Sequence, residues 1–351
     1  MKSFEYLRPE TLDEALAALS DPDAASLGGG TNLLDLMKLG VAGPERIVDL
    51  ARLPGLDRIE TLPDGMTRVG ALVRNSDLAA DPGFAAAFPM VAEALLSGAS
   101  AQLRNAATVG GNLMQATRCA YFQDPFAACN RRAAGSGCDA LGGANRGHAV
   151  LGWSPACIAV HPSDFCVPLA ALGAEAEIAG PSGTRLVPLA EFHLLPGEEP
   201  HRATALEPGE IVLALRLPAA AAGFAGNARY LKLRERTSYA FAVVSAAAAL
   251  RIEDGTVAAA RLALGGVAAR PWRCSEAEEA LAGKPATAES FAAAASIALS
   301  NAAPSGANGY KIVLAERLLA RTMAAAAAGT PAEMPALPGS LMDDTGEAAH
   351  A

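Results

Sequence analysis

The spacing of apolar residues at the start of the chain predicts a small βαβ-like unit. A capping box, Thr11-Leu12-Asp13-Glu14, precedes apolar residues at helical spacing and predicts a first helix. Ala24 to Leu27 has the character of a short buried strand and runs directly into three glycines. A helical turn from Leu33 to Lys38 and a strand from Arg46 to Leu50 follow. The unit therefore has a triple glycine at its first strand-to-helix turn.

Alternating apolar and polar positions in the middle of the chain predict two hairpins, around Pro63-Asp64-Gly65 and Pro181-Ser182-Gly183. Between them the pattern predicts a long helix from Phe84 to Leu96 and an apolar helix or turn from Phe165 to Leu172. The composition changes at residues 218–226, which are almost entirely alanine and glycine. We therefore place a domain boundary there.

The last third of the chain predicts a sheet followed by helices. A strand at 228–236 and a hairpin around Asp254-Gly255 precede three helical segments at 276–281, 288–300 and 309–328. The predicted fold class is α+β. Its parts are a subdomain at 1–55, a larger subdomain at 56–220, a C-terminal domain at 225–328 and a mobile tail at 329–351.

Composition and charge exclude several functions. The 351 residues carry a net charge of −9, whereas a nucleic-acid-binding surface is basic. The longest apolar stretch, Tyr239 to Leu250, is shorter than the roughly 20 residues that cross a bilayer, so we expect no membrane segment. The N-terminus has no apolar run of signal-peptide type. We expect a soluble protein that is cytoplasmic, or periplasmic only if a Tat-targeted partner carries it.

Two glycine turns favour binding of a dinucleotide. The first is Leu27-Gly28-Gly29-Gly30-Thr31-Asn32-Leu33 and the second is Thr108-Val109-Gly110-Gly111-Asn112-Leu113. Glycines let several backbone N–H groups approach a pyrophosphate closely. Neither turn has the Rossmann or the P-loop pattern. A flexible turn explains one of them equally well, but two such turns in one chain favour the dinucleotide.

Four cysteines in an irregular, glycine-rich segment favour a metal centre. Cys119, Cys129, Cys138 and Cys157 have the spacing C-x9-C-x8-C-x18-C, without the short pairs typical of structural zinc. Iron–sulfur clusters also take four thiolates. Zinc remains an alternative at this point. Cys166 could replace Cys157 as the fourth ligand, although its surroundings resemble a core helix.

Charged residues around these motifs have more than one interpretation. Four arginines, at positions 118, 131, 132 and 146, could offset the negative charge of a cluster. Asp164 could accept hydrogen bonds from ribose hydroxyls, or it could cap a helix. Lys232 could be a cation near a flavin, or it could lie on a solvated strand face. Cys274 is predicted to be an ordinary buried thiol.

Together these motifs resemble the FAD-binding medium subunits of molybdenum hydroxylases, over nearly the whole chain. The resemblance implies an FAD-binding fold of the vanillyl-alcohol-oxidase (PCMH) type with two subdomains, and a C-terminal domain like that of the carbon monoxide dehydrogenase flavoprotein. It implies that FAD contacts Leu27, Gly28, Gly29, Gly30, Thr31, Asn32, Leu33, Thr108, Gly111, Asn112, Arg118, Asp164, Ile211 and Lys232.

An insertion at about 118–157 distinguishes the chain from most members of that family. It is similar to the insertion of periplasmic aldehyde oxidoreductases, whose FAD subunit holds an extra [4Fe-4S] cluster. The similar segments are Arg118–Phe122, Cys129–Arg132, Gly135–Cys138, Asn145–Ala149 and Cys157. The resemblance thus implies that the four cysteines ligate a [4Fe-4S] cluster. Subunits of the 4-hydroxybenzoyl-CoA reductase type, or of the xanthine dehydrogenase type, are the alternative within the family.

The resemblance implies an electron-transfer subunit of a heterotrimer. A large partner would hold the molybdenum cofactor, and a small partner would hold two [2Fe-2S] clusters. FAD on this chain would pass the electrons to an external acceptor. No catalytic acid–base residues are predicted here. A stand-alone flavoprotein oxidase and a zinc-stabilised nucleotide-binding scaffold remain alternatives from other classes. The identities of the substrate and of the acceptor stay open.

Overall fold

A computed structural model describes residues 1–332, and it begins with a small three-stranded parallel sheet. The strands lie in the order β1-β3-β2, and the predicted capping box of Thr11 and Glu14 is present. The prediction omitted the first strand, which is only three residues long and is exposed. The elements are β1 (Glu5–Leu7), α1 (Leu12–Leu19), β2 (Ala24–Leu27), α2 (Leu33–Lys38) and β3 (Arg46–Asp49).

The middle of the chain forms a five-stranded antiparallel sheet in the order β4-β5-β8-β6-β7. Both predicted hairpins are confirmed, as β4 with β5 and β6 with β7. The strands are β4 (Ile59–Thr61), β5 (Thr67–Gly70), β6 (Glu175–Gly180), β7 (Gly183–Pro188) and β8 (Ile211–Leu217). The helices are α3 (Asn75–Ala80), α4 (Pro82–Ala87), α5 (Pro89–Ser97), α6 (Ala101–Ala106), α7 (Val109–Leu113), α8 (Ala120–Gln123), α9 (Cys166–Leu172) and α10 (Leu189–Phe192).

The prediction of one long helix from Phe84 to Leu96 is wrong, because the chain forms two shorter helices there, α4 and α5. Phe88 separates them with φ −133° and ψ 57°, outside the helical region. The residue before a proline avoids the helical conformation, and Pro89 then begins α5. The proline was visible in the sequence and should have marked this break.

The last part of the described chain pairs an antiparallel sheet with three helices. The sheet has the order β12-β11-β10-β9. Asp254 and Gly255 both take positive φ, which fits the predicted two-residue hairpin turn. The elements are β9 (Ala228–Leu233), β10 (Val244–Glu253), β11 (Thr256–Gly265), β12 (Trp272–Arg273), α11 (Ser275–Leu281), α12 (Ala288–Ala298) and α13 (Tyr310–Ala327). Most of the predicted tail, 333–351, lies outside the described residues.

The predicted domain boundary falls on a short 3-10 helix, Ala219–Asn227, that leads into β9. The largest core nevertheless crosses it, because Tyr230 and Ala247 pack with the residues of the middle sheet. A second core lies between β10, β11 and α13, and it includes Val150 and Leu151 from the end of the cysteine segment. The C-terminal domain is therefore packed against both the middle sheet and the end of the cysteine segment. The boundaries drawn from the sequence remain predictions.

The cysteine segment itself has little regular structure. Between Leu113 and Cys166 only the single turn of α8 is helical. Side chains therefore bond to many of its backbone groups. Asn130 accepts from the Gly137 N–H at 2.8 Å and donates to the carbonyl of Ala156 at 3.0 Å. Arg132 donates to the carbonyls of Tyr121 and Phe122, at 2.9 and 2.8 Å.

Candidate functional site

A cavity of about 740 Å³ lies between the two glycine turns, helices α5 and α6, and strand β9, and its size is suited to a cofactor. Both glycine turns reach it. The predicted site residues that line it are Thr31, Asn32, Gly111, Asn112, Arg118, Asp164 and Lys232. The exposed rings of Tyr239 and Phe241 also line it, and the Arg118 guanidinium lies 5.2 Å from the centre of the Phe241 ring.

The two glycine turns pack directly against each other. A Cβ atom on Gly28 would come within 2.7 Å of the Thr108 hydroxyl, and one on Gly29 would overlap the carbonyl oxygen of Ala106. Gly30 has φ +73°, in the left-handed region that glycine adopts without strain. The glycines are thus required for the contact between the turns. Their close approach therefore serves the packing of the two turns as well as the predicted contact with a pyrophosphate.

The second turn begins a helix. The Thr108 hydroxyl caps α7 by accepting from the Gly111 N–H at 3.2 Å. The Val109 and Gly110 N–H groups donate to the carbonyls of Val73 and Ala71, at 2.9 and 2.8 Å, so the first turn of α7 has no free N–H group. Thr108 itself is buried beside Gly28 and does not line the cavity.

Several polar atoms in this region lack a partner within residues 1–332. The Nδ2 of Asn32 and the Nε of Arg118 are buried with no hydrogen bond, as is the Oδ1 of Asn75, which the sequence analysis missed. Burial lowers the pKa of Arg118. Because a buried polar group without a partner costs about 1–3 kcal/mol, these atoms fit a bound polar molecule.

Asp164 and Lys232 meet in the cavity wall although 68 residues separate them. The Lys232 ammonium donates to Asp164 at 2.8 Å and to the Ser97 carbonyl at 3.1 Å. The other Asp164 oxygen accepts from the Tyr230 hydroxyl at 2.5 Å. Asp164 thus binds side chains of β9, and Phe165 rather than Asp164 is the N-cap of α9. Lys232 is not on a solvated face, because its side chain is only 4% exposed.

Other predicted flavin contacts lie behind the cavity wall. Ile211 is buried in a core cluster with Val48 and Ala179, and Leu27 lies beside Gly30. Leu33 begins α2 just after Asn32. None of these side chains lines the cavity within the described residues. Their assignment as flavin contacts remains a prediction.

The four cysteines converge on one small cleft. Cys119, Cys129, Cys138 and Cys157 all line it, together with Arg131. Cys129 and Cys138 face each other across an antiparallel bridge. The cleft holds only about 10 Å³, so a cluster would require the loop to widen. Burial raises the pKa of the Cys119 and Cys138 thiols, so metal binding would have to displace their protons.

The thiols are spaced more widely than the ligands of one zinc ion. Four sulfurs at 2.3 Å from zinc lie about 3.8 Å from one another. In every trio of these four thiols, at least one pair of sulfurs is more than 4.8 Å apart. The four thiols therefore do not form a preassembled site for a single zinc ion.

Only one of the four arginines lines the cysteine cleft, which corrects the expectation that all four offset a cluster's charge. Arg131 lines it, whereas Arg118 lines the larger cavity. Arg146 is exposed, pairs with Glu235 at 2.9 Å and stacks on Tyr310. The Arg132 guanidinium donates hydrogen bonds to backbone carbonyls of the loop. The sequence places them close to the cysteines, but the irregular loop directs their side chains apart.

Cys166 and Cys274 lie outside the cleft, as predicted from their surroundings. Both are fully buried, and burial raises the pKa of the Cys166 thiol to about 12. Cys166 has one potential ligand atom within 4.8 Å of those of His161 and His193. The Nε2 of His193 is already bonded to the Leu113 carbonyl at 2.9 Å.

Comparison with known proteins identifies the family. Residues 2–220 match the family model described as the FAD binding domain in molybdopterin dehydrogenase, and residues 229–326 match the CO dehydrogenase flavoprotein C-terminal domain. The chain belongs to the FAD-binding medium subunits of molybdenum hydroxylases. It is an oxidoreductase subunit of the aldehyde oxidoreductase and xanthine dehydrogenase family. The predicted family and fold class are thus confirmed.

Individual relatives span almost the entire chain. The aldehyde oxidoreductase FAD-binding subunit PaoB of Escherichia coli is 47% identical, over 93% of this chain and 99% of its own. The carbon monoxide dehydrogenase medium chain of Hydrogenophaga pseudoflava is 32% identical, over 92% and 96%. The solved structure of reconstituted CO dehydrogenase from Oligotropha carboxidovorans matches with a TM-score of 0.74 at 27% identity, over 94% of this chain and 99% of its own.

Membrane insertion finds no support in the described helices. None of them combines the length and the apolar character that a bilayer crossing needs.

Proposed function

We propose that this chain carries FAD and one [4Fe-4S] cluster and transfers electrons within a heterotrimeric molybdenum hydroxylase that oxidises aldehydes. The partners are a large subunit with the molybdenum cofactor and a small subunit with [2Fe-2S] clusters. Bound FAD would supply the chemistry for passing the electrons on to an external acceptor. The 47% identity to an aldehyde oxidoreductase subunit over 93% of the chain supports the aldehyde as substrate.

One observation carries the proposal for two centres on the same chain. Arg118 lines the large cavity and the next residue, Cys119, lines the cysteine cleft. Consecutive Cα atoms lie about 3.8 Å apart, so the backbone at these two residues connects the two sites directly. Electrons could therefore pass between the two centres over a short distance.

The chain's own residues hold and orient the two groups. The two glycine turns surround the pyrophosphate, Asp164 orients the ribose, and Lys232 supplies a cation near the flavin. The Arg118 guanidinium, stacked on Phe241, closes the side toward the cysteines. Cys119, Cys129, Cys138 and Cys157 supply the thiolates. Bound FAD supplies the conversion between single-electron and two-electron transfer.

Absorption, metal analysis and EPR of the purified complex test the proposal. We expect one FAD and about four irons per medium subunit beyond those of the small subunit, with an EPR signal on reduction. Flavin without the additional iron would contradict the cluster, and zinc in its place would favour a structural metal site. Oxidation of purines but not aldehydes by the complex would contradict the substrate class.

A further inference from the structure

A histidine contacts one of the four thiols. The Nε2 of His148 lies 3.2 Å from the Sγ of Cys119, and the imidazole is buried. With its hydrogen on Nε2 the ring donates to sulfur. Within residues 1–332 its other nitrogen, Nδ1, has no partner.

A lysine from α13 is completely buried behind this histidine. The Lys311 ammonium donates to the carbonyls of Gly147, His148 and Gly266, at 2.8, 2.9 and 2.6 Å. No carboxylate of residues 1–332 pairs with it. Burial lowers the pKa of Lys311 to about 8. Because buried charges are normally paired, a negative charge nearby would stabilise this ammonium.

The Asn308 side chain fixes the backbone that lies between His148 and Lys311. The Nδ2 of Asn308 donates to the carbonyls of His148 and Ala149, at 3.0 and 2.9 Å. Lys311 lies at the start of α13, and Asn308 lies in the loop before it. The C-terminal domain thus holds the segment that directs the imidazole toward Cys119.

We propose that His148 and Lys311 are positioning residues that raise the reduction potential of the cluster. His148 does so through an N–H···S bond to Cys119, and Lys311 does so through its buried charge. Because the cluster belongs to the proposed function, this inference rests on that function. A cluster with four thiolates is anionic and becomes more negative when reduced. A donor to sulfur and a nearby cation both favour the reduced state.

The test is an EPR-monitored redox titration of the intact complex. His148→Phe keeps a ring and removes the donor, and we expect a more negative midpoint potential with the iron content unchanged. His148→Gln places an amide N–H near the position of Nε2 and should recover part of the shift. Lys311→Met should also give a more negative potential. His201→Phe and Lys284→Met, at exposed positions, are the matched controls and should leave the potential unchanged.

The outcomes separate this inference from the proposed function. An unchanged potential in His148→Phe, with full iron, would overturn the role of His148 and leave the cluster in place. Loss of iron in His148→Phe together with its retention in Cys119→Ser would also overturn it, since His148 would then be a ligand. If Lys311→Met does not fold, Lys311→Arg retains the charge, and a strongly shifted potential there would contradict the charge effect. A wild-type complex without the additional iron would contradict the proposed function itself.

Discussion

The two glycine turns, residues 27–33 and 108–113, form a glycine cradle, and residues 118–157 form the cysteine loop. The two regions meet at Arg118 and Cys119, yet they are built in opposite ways. The cradle is made of regular elements, the end of β2 and the capped start of α7, and the first N–H groups of α7 bond to the Thr108 hydroxyl and to the carbonyls of Val73 and Ala71. The cysteine loop has a single helical turn and depends on side chains that bond to its backbone. Regular elements preform a cavity, whereas an irregular loop needs distant side chains or a metal to fix it.

The difference predicts how each region responds to the loss of its own group. The cradle should persist without FAD, because backbone packing between its two turns holds it. The cysteine loop should loosen without a cluster. The following experiments address this contrast.

The largest expected effect is on the metal centre. Cys129→Ser removes a thiolate from the cleft, and the additional iron should fall from about four per chain to less than one. FAD content should remain near one, because Cys129 does not line the flavin cavity. Metal analysis and flavin absorbance measure both. Cys274→Ala, at a buried thiol outside the cleft, is the control and should retain the iron.

A branched side chain in the cradle should have the converse effect, which is weaker FAD binding with the iron content retained. Gly29→Val would overlap the Ala106 carbonyl and separate the two glycine turns. Overpacking of this kind costs roughly 1–3 kcal/mol, and FAD affinity should fall on the order of tenfold. Gly223→Val, where an added Cβ meets no atom within 4 Å, should bind FAD normally. Equal flavin affinity in the two variants would contradict the packing role of Gly29.

The buried pair in the cavity wall gives a third comparison. Asp164→Asn leaves the Lys232 ammonium without its carboxylate, in a site where both side chains are under 10% exposed. We expect a loss of about 3 kcal/mol in the free energy of unfolding, measured with denaturant, and weaker FAD binding. Glu253→Gln breaks the exposed pair with Arg251 and should cost less than about 1 kcal/mol. Similar costs for the two variants would show that the wall is open to solvent.

Acid should destabilise the cradle through His193. Burial lowers the pKa of this histidine to about 4, below its value of about 6.5 in an unfolded chain. The unfolded state therefore binds more protons between those values, and stability falls as the pH drops from 6.5 to 4. The loss is roughly 3 kcal/mol. Because Nε2 of His193 bonds to Leu113, FAD should be released in the same range.

Unfolding curves between pH 7 and 4 measure this effect. His193→Gln keeps an amide that can bond to Leu113 but cannot titrate, so the pH dependence should flatten. The pKa of His161 is also lowered by burial, and this histidine accounts for the pH dependence that remains in His193→Gln. His201→Gln, at an exposed position, should leave the curve unchanged. A wild-type stability that is constant over this range would contradict the assignment.

The sequence alone determined the features that depend on neighbours along the chain. The capping box of α1 was read directly from spacing and turn chemistry, as were the hairpin at Asp254-Gly255 and the glycine turns. These elements form because a few adjacent residues favour one backbone conformation. The break at Pro89 was also local and could have been read. Family and fold class followed from such motifs together.

Only the tertiary structure decided which distant residues meet. Spacing showed four cysteines but not that they converge on one cleft, nor that only Arg131 of the four neighbouring arginines lines it. The pairing of Asp164 with Lys232 joins residues 68 positions apart. The contact of Lys311 with the His148 carbonyl joins residues 163 apart. Such contacts arise from packing between domains, and no local pattern encodes the partner of a buried charge.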